Sequence, residues 1–275
     1  HSLRADDIEV TALVRRDPRS ADESLWDPGH HTLDPALLIG AAAVVNLNGA
    51  SIGKLPWTRS YRDVLRTSRL LPTRTLADAI CPLGQEAPRL ISASAVGFTV
   101  IAPGETLQET SSSGETFLAR LGADWEAEAY EVAPLKGRRA PLLHPEAVLK
   151  PLIALIRFGV SGPLGTGHQL WPWISLDDES RAIRHIIDHD ITGPVNLSGP
   201  TPASPREIGH ELARRLHRPY LLPAPTWTLR LGIGRDAADS LLLADARVQP
   251  EVLTRSGFEF THPTAQEAID AALRS

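Results

Sequence analysis

The sequence predicts an α/β fold: a doubly wound parallel sheet followed by a small, mostly helical unit. Three observations predict it. First, the apolar run Ala42–Leu47 (AAVVNL) and the run that opens at Leu90–Ile91 are short and unalternated, as parallel strands covered on both faces should be. Second, segments with helical spacing separate such runs, which is the order that builds parallel sheets. Third, beyond the proline-rich link Pro219–Pro225 the pattern becomes helical throughout. We therefore divide the chain into a large unit, residues 1–220, and a small helical unit, residues 221–275.

In chain order, Ile8–Val14 (IEVTALV) is rich in β-branched residues and reads as a strand that ends at Arg15 and Arg16. Asp17–Asp34 is polar and broken by Pro18, Pro28 and Gly29, so it reads as a loop. Asn48–Gly49 closes the Ala42–Leu47 strand. Arg59–Ile80 is helical, with an interruption at Pro72, and Cys81 reads as a packing residue at its end. Phe98–Ser113 is a loop. Glu115–Tyr130 is a helix with Leu118, Leu121, Trp125 and Ala129 on one side. Glu131–His144 carries no clear period, although a strand is due there.

Pro145 opens an apolar helix through Phe158. Trp171–Ile174 reads as extended. Asp177 or Asp178 caps a helix to His189 that turns Ala182, Ile183, Ile186 and Ile187 inward. A short strand, Val195–Leu197, follows Gly193–Pro194. Ser204-Pro205-Arg206-Glu207 and Thr264-Ala265-Gln266-Glu267 are capping boxes, each opening a helix. Further helices are expected at Thr226–Leu231, Ala237–Leu243 and Pro250–Ser256.

With 275 residues, 42% of them hydrophobic, the chain can bury a sizeable core. A net charge of −5 argues against nucleic acid or an anionic membrane as a partner. A single cysteine rules out an internal disulfide and fits a cytoplasmic, reducing location. No apolar run approaches the ~20 residues of a membrane span. The sequence contains no methionine, unusual at this length. We expect residues of the natural chain to be missing between some neighbours in this numbering.

The stretch on which function turns is Ile91–Gly97 (ISASAVG). Small residues at a strand end let a flat ligand reach the backbone, and Ser92 and Ser94 offer hydroxyls to it. A serine-rich turn that caps its own backbone would read the same. No G-x-S-x-G elbow supports a hydrolase. His185 and His189 stand i, i+4 on a helix with no third ligand implied, so we expect a solvated face and no metal.

Together the motifs resemble the extended short-chain dehydrogenase/reductases, and more closely their atypical branch of epimerase family proteins with a short C-terminal domain of unknown function. The matching pieces include LVRR (Leu13–Arg16), WDP (Trp26–Pro28), VVNLNG (Val44–Gly49), Ser68–Arg69 and SASAVG (Ser92–Gly97). They continue through DWEAEA (Asp124–Ala129), GPLGTGHQ (Gly162–Gln169), WPWISLDD (Trp171–Asp178), GPVNLSGP (Gly193–Pro200) and GFEF (Gly257–Phe260). They run in family order over nearly the whole chain.

The resemblance implies a Rossmann-like sheet and a nicotinamide cofactor. Arg15 and Arg16 stand where basic side chains meet the 2′-phosphate of NADP(H), whereas an acidic residue there would take the free ribose of NAD. Leu47, Asn48 and Gly49 would border the adenosine and phosphates, with Arg69 near the phosphates and Ser92 and Ala93 beside the cofactor. Ser94 matches the catalytic serine that holds the reacting oxygen of a small polar substrate. The cleft is expected between the strand ends and Gly159–Trp173, with Trp171 or Trp173 lining it. A homodimer is a further expectation.

Two departures stand out. The family's first strand and its Gly-rich loop are not in this sequence, and we expect both in the full protein. The Tyr-x-x-x-Lys pair of the family is also missing. Phe117–Leu121 occupies its region with Arg120 as the one basic residue, and Tyr130 lies too far along. Without that pair the proton must come from elsewhere, with His168 and Asp178 as candidates by location. The alternative is a cofactor-binding module that does not turn over.

Overall fold

The architecture follows from alternation along one strand. The computed structural model describes residues 2–95, 105–130, 135–139, 149–159 and 161–274, so Val96 and Gly97 of the SASAVG stretch lie outside it. Strand β4 (Arg89–Ala95) sends Leu90 into a core with Leu76, Ala79, Ile80 and Ala129. Its next residue, Ile91, packs on the opposite face with Ile174, Ala182, Ile186 and Val195. Strand β3 (Ala43–Asn46) repeats the pattern, Val44 joining the first core and Val45 the second. Successive side chains point to opposite faces of a strand, so helices cover both faces.

The main sheet has four parallel strands in the order β3-β4-β6-β7, with β6 at Leu135–Arg139 and β7 at Gly193–Leu197. Helices α2 (Arg59–Ile80) and α3 (Phe117–Tyr130) lie on one face and α5 (Leu176–Asp188) on the other. A second, two-stranded parallel sheet pairs β1 (Ala12–Val14) with β2 (Glu23–Leu25). Leu13 and Trp26 from this pair pack into the same core as Val44 and Leu90. A four-residue helix, α1 (Ser2–Ala5), precedes it.

A third core joins α4 (Leu149–Arg157), α6 (Pro205–Arg215) and α10 (Ala265–Arg274) around Ile156, Trp173, Ile208, Leu212 and Ile269. The later elements are α7 (Thr226–Ile233), α8 (Arg235–Ala237), β8 (Arg247–Val248) and α9 (Glu251–Arg255). They are not a separate layer. Ala246, Val248, Leu253 and Phe258 enter the same core as Ile91 and Val195. Strand β5 (Thr106–Leu107) pairs in parallel with β8. Among the described residues, no helix is long and apolar enough to cross a membrane.

Several expectations need correction. Only Ala12–Val14 of Ile8–Val14 is a strand, and Asp17–Asp34 contains β2. A strand, β6, does form in Glu131–His144; its sequence LKGRR lacks an apolar run, and pairing on both sides supplies the structure. Pro72 does not interrupt α2, which runs unbroken past it. Cys81 is exposed at the helix cap. Pro145 lies outside the described residues, and the helix is seen from Leu149. Ser175, not Asp177 or Asp178, caps α5. Both capping boxes form.

Candidate functional site

The C-terminal edge of β3 and β4 gathers polar side chains in a place where burial would otherwise favour apolar ones. Asn46 pairs in register with Ser92, and both are buried. The Asn46 amide donates to Thr73 Oγ1 at 2.8 Å and to Ser92 Oγ at 3.1 Å. Its oxygen accepts from the Asn48 backbone N–H and side-chain amide. Trp125 Nε1 also donates to Thr73 Oγ1, at 2.8 Å. Every amide group of Asn46 is thus used, which is how a buried polar network becomes tolerable.

The Ser68–Arg69 pair on α2 holds the segment that follows β3. Ser68 Oγ accepts from Ala50 N at 2.9 Å, and Arg69 donates to Ala50 O at 3.1 Å. The Arg69 guanidinium also bonds Leu65 O and lies over the Trp125 ring, 5.3 Å from its centroid. Gly49 is what admits it: a Cβ there would come within 3.0 Å of Arg69 Cζ. The two residues of the motif therefore hold both backbone polar groups of Ala50, one in each of its flanking peptide units.

Ser94 continues this face. It is 5% exposed, and its hydroxyl donates to Glu126 Oε1 on α3 at 2.8 Å; Glu126 is buried as well. Ser92 and Ser94 both face α2 and α3, whereas Ala93, between them, is buried with the opposite orientation. Glu126 escaped the sequence reading. Its signal was present: it stands three residues before the inward Ala129 and beside the inward Trp125, an acidic residue on an apolar stripe.

The tip of β1 is different in kind. Arg15 is exposed and has no hydrogen bond or ion pair with any described residue. Arg16 is bound in bidentate fashion by Glu23 of β2, at 2.7 and 2.6 Å. Glu23 also accepts the Arg19 backbone N–H at 2.7 Å. The hydrogen bond from Arg16, then that from Arg19, hold the Glu23 carboxyl below its ordinary range, and the same pairing raises Arg16.

The other candidates resolve into packing. Asp178 is fully buried and accepts from Thr261 N (2.7 Å), His262 N (2.9 Å), Ser175 Oγ (3.0 Å) and Arg181 (3.1 Å). It ties α5 to the segment after Phe258. Asp177, Asp178 and His262 have ligand-type atoms within 4.8 Å of one another, but N–H and O–H donors already fill both Asp178 oxygens. His168 is exposed. Trp171 and Trp173 are buried and donate to Leu242 O and Thr201 O, as packing tryptophans do. His185 is not on a solvated face: it is half-buried, bonds Ser256 Oγ at 2.9 Å and meets the Phe258 ring edge-on. Burial, then the neighbouring His189, lowers its pKa.

A phosphate-bearing dinucleotide needs cations at an accessible loop and a ledge of small or backbone groups. The chain offers the unpaired Arg15, the exposed Leu47 and Gly49, and Arg69 against Gly49. This donor set fits such a group.

Comparison with known proteins agrees with the motifs. Residues 224–272 match the model of a domain of unknown function, DUF1731. An epimerase family protein of Mycobacterium bovis is 37% identical over 279 aligned residues, spanning 98% of this chain and 91% of the relative. The chain belongs to the epimerase family. An epimerase family protein of Bacillus subtilis is 31% identical, over 82% of this chain and 76% of its own. The human epimerase family protein SDR39U1 (isoform 2), crystallised with NADPH, superposes with a TM-score of 0.89 at 24% identity, covering 100% of this chain and 94% of that one. A nucleoside-diphosphate sugar epimerase of Corynebacterium glutamicum superposes at 0.77 with 29% identity, covering 98% of this chain and 54% of that one.

Proposed function

We propose that this epimerase family protein binds NADP(H) and acts as an epimerase or reductase on a small polar substrate of sugar-nucleotide type. The observation that carries the reading is the accessible guanidinium of Arg15 directly after β1, where a 2′-phosphate needs a charge-assisted partner. The NADPH bound by the human relative and the sugar-nucleotide chemistry named for the Corynebacterium relative support it. Arg15 and Arg16 would serve the 2′-phosphate end, Leu47, Asn48, Gly49 and Arg69 the adenosine and phosphates, and Ser92 and Ala93 the strand ledge. Bound there, the cofactor supplies hydride transfer. Ser94 would orient the reacting oxygen, with Glu126 fixing its hydroxyl.

A second reading is a cofactor-binding module without turnover. It is favoured by α3, which carries Leu118 and Leu121 buried where a Tyr-x-x-x-Lys pair would act, and by the burial of Ser94. A screen of carbonyl and sugar-nucleotide substrates followed at the nicotinamide absorbance separates the two. Sustained turnover abolished in Ser94→Ala supports the enzyme. Tight NADPH binding with no turnover across the panel supports the module. A preference for NADH over NADPH would remove the 2′-phosphate assignment.

A further inference from the structure

We infer that Glu23 sets the discrimination between a 2′-phosphate and a 2′-hydroxyl by withholding Arg16, so that Arg15 alone meets the phosphate. The inference rests on the NADP(H) reading above and assigns unequal roles within the arginine pair.

Only eight residues, 15–22, cross between the parallel strands β1 and β2, and both arginines sit at the start of that crossing. One of the two is committed. Both Arg16 Nη atoms are on the Glu23 carboxylate, and Nη1 also donates to Asp17 O at 2.9 Å. Glu23 in turn holds the Arg19 N–H, so one carboxylate fixes Arg16 and the middle of the crossing together. The fork of a guanidinium matches one carboxylate or one phosphate in bidentate fashion, not both with the same two edges. A phosphate that recruits Arg16 must displace Glu23 or share with it, and the displaced carboxylate would repel the phosphate at close range. Arg15 carries no such commitment. A free ribose hydroxyl, by contrast, finds in Glu23 an acceptor of the sign that suits it.

The test is calorimetric titration of the full chain with adenosine 2′,5′-bisphosphate and with 5′-AMP, which needs no turnover. Arg15→Ala should weaken the bisphosphate by about tenfold or more, as loss of a charge-assisted hydrogen bond does. Arg16→Ala should weaken it less than Arg15→Ala does, by about two- to threefold, because it removes no contact to the phosphate but leaves the Glu23 carboxylate unpaired beside it. Glu23→Gln keeps an acceptor for Arg19 N but releases Arg16. It should tighten the bisphosphate about three- to fivefold, the range of an exposed charge pair, and leave 5′-AMP unchanged. The double variant Glu23→Gln/Arg16→Ala should bind the bisphosphate about as the wild type does, since it removes both the repelling carboxylate and the released arginine, so the gain over the wild type vanishes. An unchanged or weaker bisphosphate in Glu23→Gln, a gain that survives Arg16→Ala, or equal losses from the two arginines would overturn the inference while leaving the cofactor reading in place. A wild-type chain that binds the bisphosphate no better than 5′-AMP would overturn both.

Discussion

Two regions near the predicted site use similar chemistry to opposite ends. At the edge of β3 and β4, Asn46, Ser92, Thr73 and Trp125 form a closed set of hydrogen bonds out of reach of water. At the tip of β1, Arg16 and Glu23 form a stronger pair on paper, yet Arg16 keeps 43% of its side-chain exposure. Water decides the difference. In the dry network each partner is indispensable because the group left behind has no substitute. At the wet tip water can replace any partner, so losing one costs the fold little.

Removing the dry network's centre is the most damaging test of this contrast. Asn46→Leu should cost about 2–4 kcal/mol, because Thr73, Ser92 and Asn48 each lose a partner at once. Urea denaturation should show a lower midpoint at an unchanged slope. If the loss is below about 0.5 kcal/mol, the network is ornament and the contrast fails. Ser94→Ala should cost about 1 kcal/mol by removing one donor from the buried Glu126, again read from the denaturation midpoint.

Acid provides an intermediate case. Glu211 on α6 is gripped by Arg214 and, after a smaller desolvation cost, by Arg215, which brings its pKa from 4.5 to about 2. A carboxylate depressed in the folded state stabilises fully above its unfolded pKa and loses that contribution as pH falls from about 4.5 to 2. The melting temperature of Glu211→Gln should therefore converge on that of the wild type across this window. His185 acts at milder pH. Its folded pKa lies below 6.5, so the unfolded chain takes up the proton first and stability declines as pH drops below 6.5. His185→Gln should flatten that decline. The smallest effect belongs to the wet tip: Arg16→Ala should leave the melting temperature unmoved at physiological salt, while changing the mobility of residues 15–22 seen by amide exchange.

What could be read from the sequence followed the same division. Helices α5, α6 and α10 announce themselves because amphipathic spacing and, for α6 and α10, capping boxes are local signals. Strands β2 and β6 do not, since ESL and LKGRR owe their conformation to partners far away in the chain. The helical tail was legible as helices, but its merger with the sheet core through Ala246, Val248 and Phe258 was not, because no local pattern encodes which face a distant residue will cover. Of the candidate site, the motif residues Ser68 and Arg69 were visible as types; that they hold the N–H and C=O of Ala50 became clear only from the fold. Glu23 was hidden inside a segment read as a loop.

The pairing of β5 with β8 carries a lesson about synthesis. On the ribosome, Leu107 emerges long before Val248 exists, and the core around Ile91 and Val195 waits uncovered until Ala246, Val248, Leu253 and Phe258 are made. A nascent chain stalled before Ala246 should therefore recruit holdase chaperones that the released protein does not need.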